Sequence, residues 1–557
     1  MNRLDGAAMA IDGAAIAPEV ALWVFACIAL LIEWLAPRNG EGKQSRWLSA
    51  EAAATAGLVI ALACLLLFPG NERLAFNSAI VVDPLSHFYR ALCILTSLIL
   101  IPSSWRYMQG RPNRPEFYAL LLLATSGMTL MVESNDLIML FLAIEFLSIT
   151  SYVLVGYLKG NRRSTEGSIK YFLFGSVCSA LMLYGMSLLY GLTGTTKFDL
   201  IQRFLRQYPL SQSMSIPSGL EVLMVVTFFA GIGFKISMWP FHMWAPDAYE
   251  GAPTPVTAFL SVGPKLAGIA VFVRVAEGLL HSEQIWPALL GLVAVVTMTW
   301  GNLAALTQTN LKRMLAYSSI AQAGYLLVGV MALAIAPAPG DPNTFASNNS
   351  ILLQQGLSYA YPAVLIYSLA YLVMNLGAFI VAIEVERESG TSDVAGFAGL
   401  GERSPGMAAA MTVFLLGLGG IPLTAGFIGK LYLFGSAVAW AVYGRNPILW
   451  IVAGFGAANS VVSIYYYFRV LQPMWLASSP APAVERTSWG TPGILAAGLA
   501  ILTLLLGIFG QALITPASGF DVVHTGMLMH SPASPALFHG SPPKVIPAQF
   551  TFSPRSS

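Results

Sequence analysis

Four ionisable residues stand inside long apolar stretches of this sequence and could carry protons. Glu145 lies in NDLIMLFLAIEFLSITSYVLVGY and Lys235 in VLMVVTFFAGIGFKISMWPFH, while Lys265 follows AFLSVGP and Lys430 follows GLGGIPLTAGFIG. A charge at the centre of a bilayer costs about 2.5–3.5 kcal/mol on insertion scales, so such residues are rare and are usually functional. An amine or a carboxyl in this setting can change its protonation, which predicts proton transfer within a membrane.

Glu145 and Lys235 are predicted to pair with each other. Glu145 is about ten residues from either end of its apolar stretch, too deep for its carboxylate to reach water. A lysine buried between helices commonly finds a buried carboxylate, and it can gain or lose a proton as the influence of that partner changes. Lys265 has no acidic neighbour in the sequence, so its proton is expected to be shared with polar side chains and water. A salt bridge that only fixes two helices is the alternative for the pair.

Two of the apolar stretches carry helix-breaking residues beside a lysine. Pro240 follows Lys235 by five residues, and a Gly- and Pro-rich segment directly precedes Lys430. Irregular backbone at membrane depth survives only where it is buried in protein or lines a wet cavity. Interrupted helices at corresponding places in two halves of a chain indicate an inverted-repeat transporter. We therefore predict that membrane helices 7 and 12 are broken and that helices 4–8 and 9–13 form two inverted five-helix repeats.

Other polar residues in the same stretches could continue a proton path. The candidates for this relay role are Lys170, His242, Gln322 and Tyr325. Polar side chains in membrane helices more often form interhelical hydrogen bonds, and each of these residues is a weak signal by itself.

The elements that position these residues are membrane helices. Of the 557 residues, 56% are hydrophobic and 10% are charged, whereas soluble domains have about 25% charged residues. Stretches of about 18–25 apolar residues, each able to cross about 30 Å of hydrocarbon, recur along the chain. The fold class is all-α, a polytopic membrane bundle of about 14 transmembrane helices. The predicted spans are 18–37, 49–69, 84–104, 116–133, 135–157, 168–192, 218–242, 254–280, 285–308, 312–336, 358–385, 407–441, 447–477 and 491–513.

This pattern divides the chain into four parts. They are an N-terminal group of three helices (1–115), the first repeat (116–280), the second repeat (281–478), and helix 14 with a Pro/Ser-rich tail (479–557). Residues 193–217 are predicted to include an amphipathic surface helix, and residues 514–557 to be extended or loosely packed.

Charge gives an orientation and excludes one class of partner. Basic residues concentrate in the loops after odd-numbered helices, which places both termini on the non-cytoplasmic side by the positive-inside rule. The formal net charge is +2 and the basic residues gather on no single face, so nothing favours nucleic acid binding.

Redox and nucleotide motifs are missing from the sequence. The cysteines Cys27, Cys64, Cys93 and Cys178 stand alone, without the CxxC spacing of cluster or metal ligands. The six histidines are scattered or lie in the tail, and no phosphate-binding glycine motif occurs. We expect no cofactor and no metal in this chain.

Three blocks of the sequence resemble the signature blocks of the antiporter-like membrane subunits of respiratory complex I and its relatives. These blocks are GFKISMWPFHMWAPDAYEGAPTPVTAFLSVGPKLAG, NLKRMLAYSSIAQAGYLLVG and GGIPLTAGFIGKLYLF. The likeness covers about residues 80–475 and is specific, because lysine, proline, histidine and aromatic positions coincide. Within this family the chain is most similar to the subunit N branch, the counterpart of mitochondrial subunit two. Lys430 supports that branch, because the subunit M branch is expected to have glutamate there.

The resemblance implies a proton-translocating subunit of a NADH-quinone oxidoreductase, driven by quinone reduction elsewhere in the complex. By position, Glu145 would be the glutamate of helix 5, Lys235 its partner on helix 7, Lys265 the central lysine of helix 8, and Lys430 the terminal lysine of helix 12. Many members have histidine where this chain has Gln322, so the link between Lys265 and Lys430 would run through the amide and water.

The resemblance also implies the surroundings of the chain. It would lie in the cell inner (plasma) membrane, against a neighbouring antiporter-like subunit, small helical subunits and the lipid bilayer. Partner subunits would carry FMN and iron–sulfur clusters, and quinone would be the substrate of the complex. The electron donor stays open among NADH, ferredoxin and a reduced flavoprotein.

Two other functions fit parts of the sequence. A subunit of a multi-chain cation/proton antiporter or of a membrane-bound hydrogenase would share the same blocks. A structural scaffold would use the buried charges only to fix helix packing.

Overall fold

A computed structural model describes nine stretches of the chain, and these stretches are almost entirely helical. They are residues 13–35, 49–67, 73–111, 113–207, 218–279, 285–335, 350–443, 447–478 and 490–510. The predicted tail 514–557 lies outside the described residues.

Eighteen α-helices and one hairpin occur in the described residues. The first nine helices are α1 (Ala17–Leu35), α2 (Ala50–Leu67), α3 (Pro84–Met108), α4 (Arg114–Glu133), α5 (Leu137–Val155), α6 (Arg162–Thr193), α7 (Phe198–Gln207), α8 (Ser218–Ile236) and α9 (Ala245–Gly251). The others are α10 (Thr254–Leu279), α11 (Ile285–Ala305), α12 (Leu311–Ile335), α13 (Ser350–Ser389), α14 (Leu400–Arg403), α15 (Pro405–Gly419), α16 (Ala425–Tyr443), α17 (Pro447–Leu476) and α18 (Gly490–Ile508). The hairpin pairs β1 (Arg73–Ala75) antiparallel with β2 (Ile80–Val82).

The described helices account for all fourteen predicted spans. Thirteen of them are long and apolar enough to cross a membrane, and the first span is the shorter apolar helix 17–32. Within the predicted span 218–242, α8 ends at Ile236, and within the span 407–441, residues 420–424 separate α15 from α16. The chain is therefore a multi-pass membrane bundle, and the predictions of broken helices 7 and 12 agree with the structure.

The centre of the bundle is formed by α10, α12 and α13. Every residue of α10 from 254 to 273 is buried within the protein, and α12 and the part of α13 after residue 360 are buried over most of their length. Helices α6 and α17 lie at the periphery and expose large apolar side chains such as Phe172, Val177 and Tyr465. Apolar exposure of this kind suits lipid or a neighbouring membrane subunit, so the ionisable groups of the central helices are kept away from it.

The directions of the helices define two ends of the bundle. One end, where α4, α6, α10 and α12 begin, holds Arg114, Arg163, Arg313 and Arg387, and we call it the basic end. At the opposite end, α1, α3 and α5 begin and α4 and α10 end.

The first break separates α8 from α9. Ser237 adopts a left-handed conformation with φ 59°, which ends α8. The carbonyl of Phe234, which loses its helical partner there, accepts hydrogen bonds from Trp244 Nε1 at 3.0 Å and from the Ser237 amide at 3.1 Å. The freed backbone is thus satisfied within the protein, as it must be at membrane depth.

The second break separates α15 from α16 and depends on glycine. Gly420 has φ 85°, and its amide donates to the carbonyls of Leu416 and Gly417, which closes the end of α15. A Cβ at Gly426 would collide with the Gly417 carbonyl oxygen, because the two half-helices cross closely there.

Changing Gly426 to alanine is expected to destabilise the chain by about 1–3 kcal/mol, because overpacking forces backbone to move. Gly435 is the matched control: it lies on the same helix, and an added Cβ there would have no heavy atom within 4 Å outside its own stretch of helix backbone among the described residues. Gly435→Ala should leave stability unchanged or raise it. Thermal unfolding of the detergent-solubilised protein compares the two, and equal unfolding midpoints would contradict the close crossing.

Two small elements lie outside the helical crossings. Helix α7 buries Ile201 and Leu205 and packs against α10, which agrees with the amphipathic helix predicted within 193–217. The β1–β2 hairpin covers the turn between α4 and α5: Ile80 bridges Ser134, and the Asn135 amide donates to the Ala79 carbonyl at 2.9 Å.

The two breaks fall in the fourth crossing of each predicted repeat, as an inverted repeat requires. The repeats and the four-part division of the chain stay predictions.

Candidate proton-transfer site

The three predicted lysines lie inside the protein rather than against lipid. Lys235, Lys265 and Lys430 are 1%, 2% and 4% exposed. Lys235 sits at the end of α8, Lys265 in the middle of α10 and Lys430 in the second turn of α16, so each belongs to a broken helix or to the central helix. We call these three residues the lysine row.

Glu145 and Lys235 interact electrostatically but form no direct ion pair. No salt bridge within 4.0 Å joins them, and Glu145 instead accepts a hydrogen bond from Ser179 Oγ of α6. Glu145 is only partly buried and lies between α5 neighbours, such as Leu142 and Ile149, that are exposed. The two residues therefore interact without a direct contact, because α5 turns Glu145 towards α6 and the outer face, and their pairing in proton transfer stays a prediction.

Lys235 is surrounded by aromatic rings. Its Nζ lies 6.0 Å from the ring centroid of Tyr171 and 5.6 Å from that of Phe234, and no hydrogen-bond partner occurs within the described stretches. Tyr171 in turn stacks on Trp244 at 4.1 Å, which ties α6 to the segment after the break. An ammonium group is attracted to a ring face only electrostatically. The charged form of Lys235 is therefore stabilised mainly by the Glu145 carboxylate.

Changing Glu145 to glutamine should lower proton pumping severalfold while assembly persists. The amide keeps the shape of the side chain and a partner for Ser179, but it removes the only charge that interacts with Lys235 in the described part of the chain. Glu116→Gln, on an exposed residue of α4, is the control. Proton uptake by vesicles containing the complex measures both, and equal pumping would remove Glu145 from the path.

Lys265 has a polar partner and no carboxylate. Its Nζ donates to Ser319 Oγ of α12 at 2.6 Å and lies 5.8 Å from the ring centroid of Tyr249. Among the described residues no acidic group lies within salt-bridge distance of this amine. Ser319 is thus the polar group in contact with this amine, and the sharing of its proton stays a prediction.

Gln322 lies one helical turn after Ser319 on α12, on the same face. Its Nε2 donates to the Leu418 carbonyl oxygen at 3.1 Å, while its Oε1 accepts a hydrogen bond from the Tyr367 hydroxyl. Gln322 Nε2 also lies 3.5 Å from the hydroxyl of Tyr467, which is 2.6 Å from Ser318 Oγ. The amide therefore sits in a buried polar cluster beside Lys265's partner.

Lys430 shares an acceptor with Gln322. Its Nζ donates to the Leu418 carbonyl at 2.9 Å and to the Gly419 carbonyl at 3.2 Å. These are the last carbonyls of α15, where the helix dipole favours a positive charge. The break in the twelfth crossing thus creates the binding position of this amine.

Tyr325 contacts Lys430 through its ring rather than its hydroxyl. Lys430 Nζ lies 4.6 Å from the ring centroid, and Tyr325 Oη accepts from Asn302 Nδ2 at 2.9 Å. Asn302 also bonds Asn459 and Tyr466 of α17. Polar groups consequently continue from Lys430 towards the periphery.

The other two relay candidates occupy different places. His242 is buried after the first break, within electrostatic range of Lys265, and neither ring nitrogen has a hydrogen-bond partner in the described part of the chain. Lys170 is not part of the lysine row. It is 41% exposed and pairs with Asp247 at 2.7 Å and Glu166 at 2.8 Å, in a network at the basic end that includes Arg313.

Two members of the site were missed by sequence reasoning. Tyr367 was indistinguishable from ordinary polar residues of membrane helices, and the Leu418 carbonyl belongs to the backbone. Leu418 directly precedes Gly419 and Gly420, and such a glycine pair commonly ends a helix. Since the last carbonyls of a helix lack partners within it, this pair could have indicated a free acceptor at position 418.

Comparison with known proteins identifies the family. The family model described as "NADH:quinone oxidoreductase/Mrp antiporter, TM" matches residues 134–338 and 350–456, more than half of the chain.

Similar proteins extend the match to nearly the whole length. "NADH-quinone oxidoreductase subunit N" of Anaeromyxobacter sp. is 38% identical, and the match covers 94% of this chain and 96% of the relative. The protein of the same name from Heliobacterium modesticaldum is 43% identical, and the match covers 76% of this chain and 82% of the relative. A chain of respiratory complex I from Thermus thermophilus superposes with a TM-score of 0.68 at 29% identity, covering 89% of this chain and 98% of its own. The resemblance drawn from the sequence is confirmed. The chain belongs to the NADH:quinone oxidoreductase/Mrp antiporter family of membrane subunits, and its relatives include subunit N of NADH-quinone oxidoreductase.

Proposed function

We propose that this chain translocates protons through Glu145, Lys235, Lys265 and Lys430 as a subunit N-type component of a NADH-quinone oxidoreductase. One observation carries this proposal: Lys265 donates to Ser319, and Gln322, one turn further along α12, shares the Leu418 carbonyl with Lys430. Relatives that are NADH-quinone oxidoreductase subunits by name support the assignment to that enzyme.

Each side chain has a separate task in this proposal. Glu145 stabilises the ammonium form of Lys235, and withdrawing that carboxylate's influence releases a proton for Lys265 to accept. Lys265 passes a proton towards Gln322 through hydroxyl groups and water. Lys430 takes it up at the carbonyl end of α15 and releases it onward. No electron enters these steps, so the driving reaction belongs to other subunits.

The surroundings of the chain are also part of the proposal. Positive-inside charge bias supports a cytoplasmic basic end in the plasma membrane, with both termini on the other side. Exposed apolar faces on α5 and α6 support contact with another membrane subunit. FMN and iron–sulfur clusters would be held by partners, and quinone would be reduced there.

The test is proton pumping by the complete complex in sealed vesicles. NADH and a soluble quinone should produce a pH difference that a protonophore abolishes, while NADH oxidation continues. The subunits that purify with this chain should include flavin and iron–sulfur proteins.

The second candidate is a subunit of a cation/proton antiporter, because the family description also names the Mrp antiporter. It predicts a different result in the same vesicles: proton movement driven by a sodium gradient without NADH, and partners without redox centres. That outcome would overturn the oxidoreductase assignment.

A further inference from the structure

Five charged side chains meet at the opposite end of the bundle, away from the lysine row. Arg90 of α3 donates from Nη2 to Glu19 of α1 at 2.7 and 2.9 Å, and its Nη1 lies 2.9 Å from Glu133 Oε2 at the end of α4. Arg274 of α10 binds Asp83 at 2.8 and 3.1 Å. We call these five residues the α4-end cluster.

All five side chains are removed from water. Glu19 and Glu133 are fully buried, and none of the cluster is more than 8% exposed. The β1–β2 hairpin closes this end: Asn135 Nδ2 donates to the Ser78 carbonyl at 3.0 Å, directly beyond Glu133. A net charge enclosed in this way is costly.

The charges of the cluster do not balance when every group is ionised. Three carboxylates face two guanidiniums, and arginine stays protonated in proteins. The groups that act electrostatically on Glu133 are Glu19 from α1, Arg90 from α3, Asp83 from the hairpin side and Arg274 from α10. The cysteine one turn along α3 from Arg90, Cys93, is neutral as a thiol. One bound proton would make the cluster neutral.

The contacts distinguish which carboxyl takes that proton. Asp83 accepts two bonds from Arg274 and one from the Ser86 amide at 2.7 Å, and Glu19 receives Arg90 Nη2 on both oxygens. Glu133 lies near Arg90 but accepts no well-directed hydrogen bond on either oxygen from the residues that the structure describes. Hydrogen bonds to the charged form favour ionisation, so Glu133 is the least supported as an anion.

We propose that Glu133 is a further proton-binding site, separate from the lysine row, and that it carries a proton at neutral pH in the folded complex. Arg90 and Arg274 hold the other two acids ionised. Arg274 lies nine residues after Lys265 on α10, about 13 Å along the helix. The cluster is therefore joined rigidly to the helix that carries the central lysine.

Infrared absorption of the purified complex tests this site without turnover. A protonated carboxyl gives a carbonyl band that shifts in heavy water, and the spectrum of the wild type minus that of Glu133→Gln should contain one such band. Glu116→Gln, on the same helix but exposed, should show loss of a carboxylate signal instead.

Glu133→Asp keeps a carboxyl and guards against failure of the glutamine variant to assemble. We expect its acid band to persist at a changed frequency. If Glu133→Gln or Glu133→Asp alters only carboxylate bands, Glu133 is ionised and the proposal is wrong. Since the measurement uses neither NADH nor quinone, its outcome is independent of the proposed pumping function.

Discussion

Replacing Lys265 by alanine is expected to lower the proton-pumping rate of the assembled complex by at least about tenfold, a modest part of what a positioned proton-transfer group contributes. The amine of Lys265 lies at the centre of the most buried helix and donates a hydrogen bond to Ser319. Alanine leaves no group there that can bind a proton. Pumping into sealed vesicles, normalised to the amount of assembled complex, is the measurement.

Lys265→Arg separates proton transfer from mere positive charge. Guanidinium keeps the charge and can donate to Ser319, but it does not lose its proton. If Lys265 carries protons, the arginine variant should pump as poorly as the alanine variant. If Lys265 only fixes the packing of helices, the arginine variant should pump normally. Lys159→Ala, on an exposed lysine, should pump normally. Full pumping by the alanine variant would favour the scaffold over the pump.

Changing Gln322 to methionine is expected to reduce pumping nearly as much as loss of Lys265. Methionine has a similar length and volume, yet it cannot donate to the Leu418 carbonyl or accept from Tyr367. Both lysines remain, so the variant interrupts only the region between them. Quinone reduction and pumping are measured together on the same vesicles.

A double variant tests whether the two residues act in one path. If protons pass from Lys265 to Lys430 by Gln322, the combined change should pump no worse than Lys265→Ala alone, because groups in series are not additive. Gln308→Met alters a glutamine that lies just after α11 and donates to the Ala304 carbonyl, and this change should leave pumping unaltered. If instead the double variant pumps less than either single variant, by the product of the two separate losses, Gln322 lies outside the path.

Much of the fold could be predicted from the sequence because membrane helices are long and almost uniformly apolar. The fourteen spans, the broken seventh and twelfth crossings, and the buried position of Lys235, Lys265 and Lys430 follow from hydropathy and helix-breaking residues. Helix ends were less predictable: α6 and α13 continue beyond their predicted spans, since polar final turns remain helical at the membrane surface.

Side-chain partners could not be predicted, because they depend on how helices rotate against each other. Glu145 was expected to meet Lys235 but faces Ser179, and Lys170 proved to belong to a surface network. Arg90 and Arg274 stand in apolar stretches of the sequence, and the acids that pair with them lie in other elements distant in sequence. Hydropathy carries no information on which helix faces which.

Gln322 and Lys430 are connected through the backbone carbonyl of Leu418, and this connection does not depend on the side chain at position 418. Its bridging oxygen belongs to the main chain, so any apolar residue at position 418 presents the same acceptor. Scanning mutagenesis would find the two flanking residues energetically linked and would miss the atom that joins them. Evolution could alter the side chains around this junction freely, provided that α15 continued to end where it does.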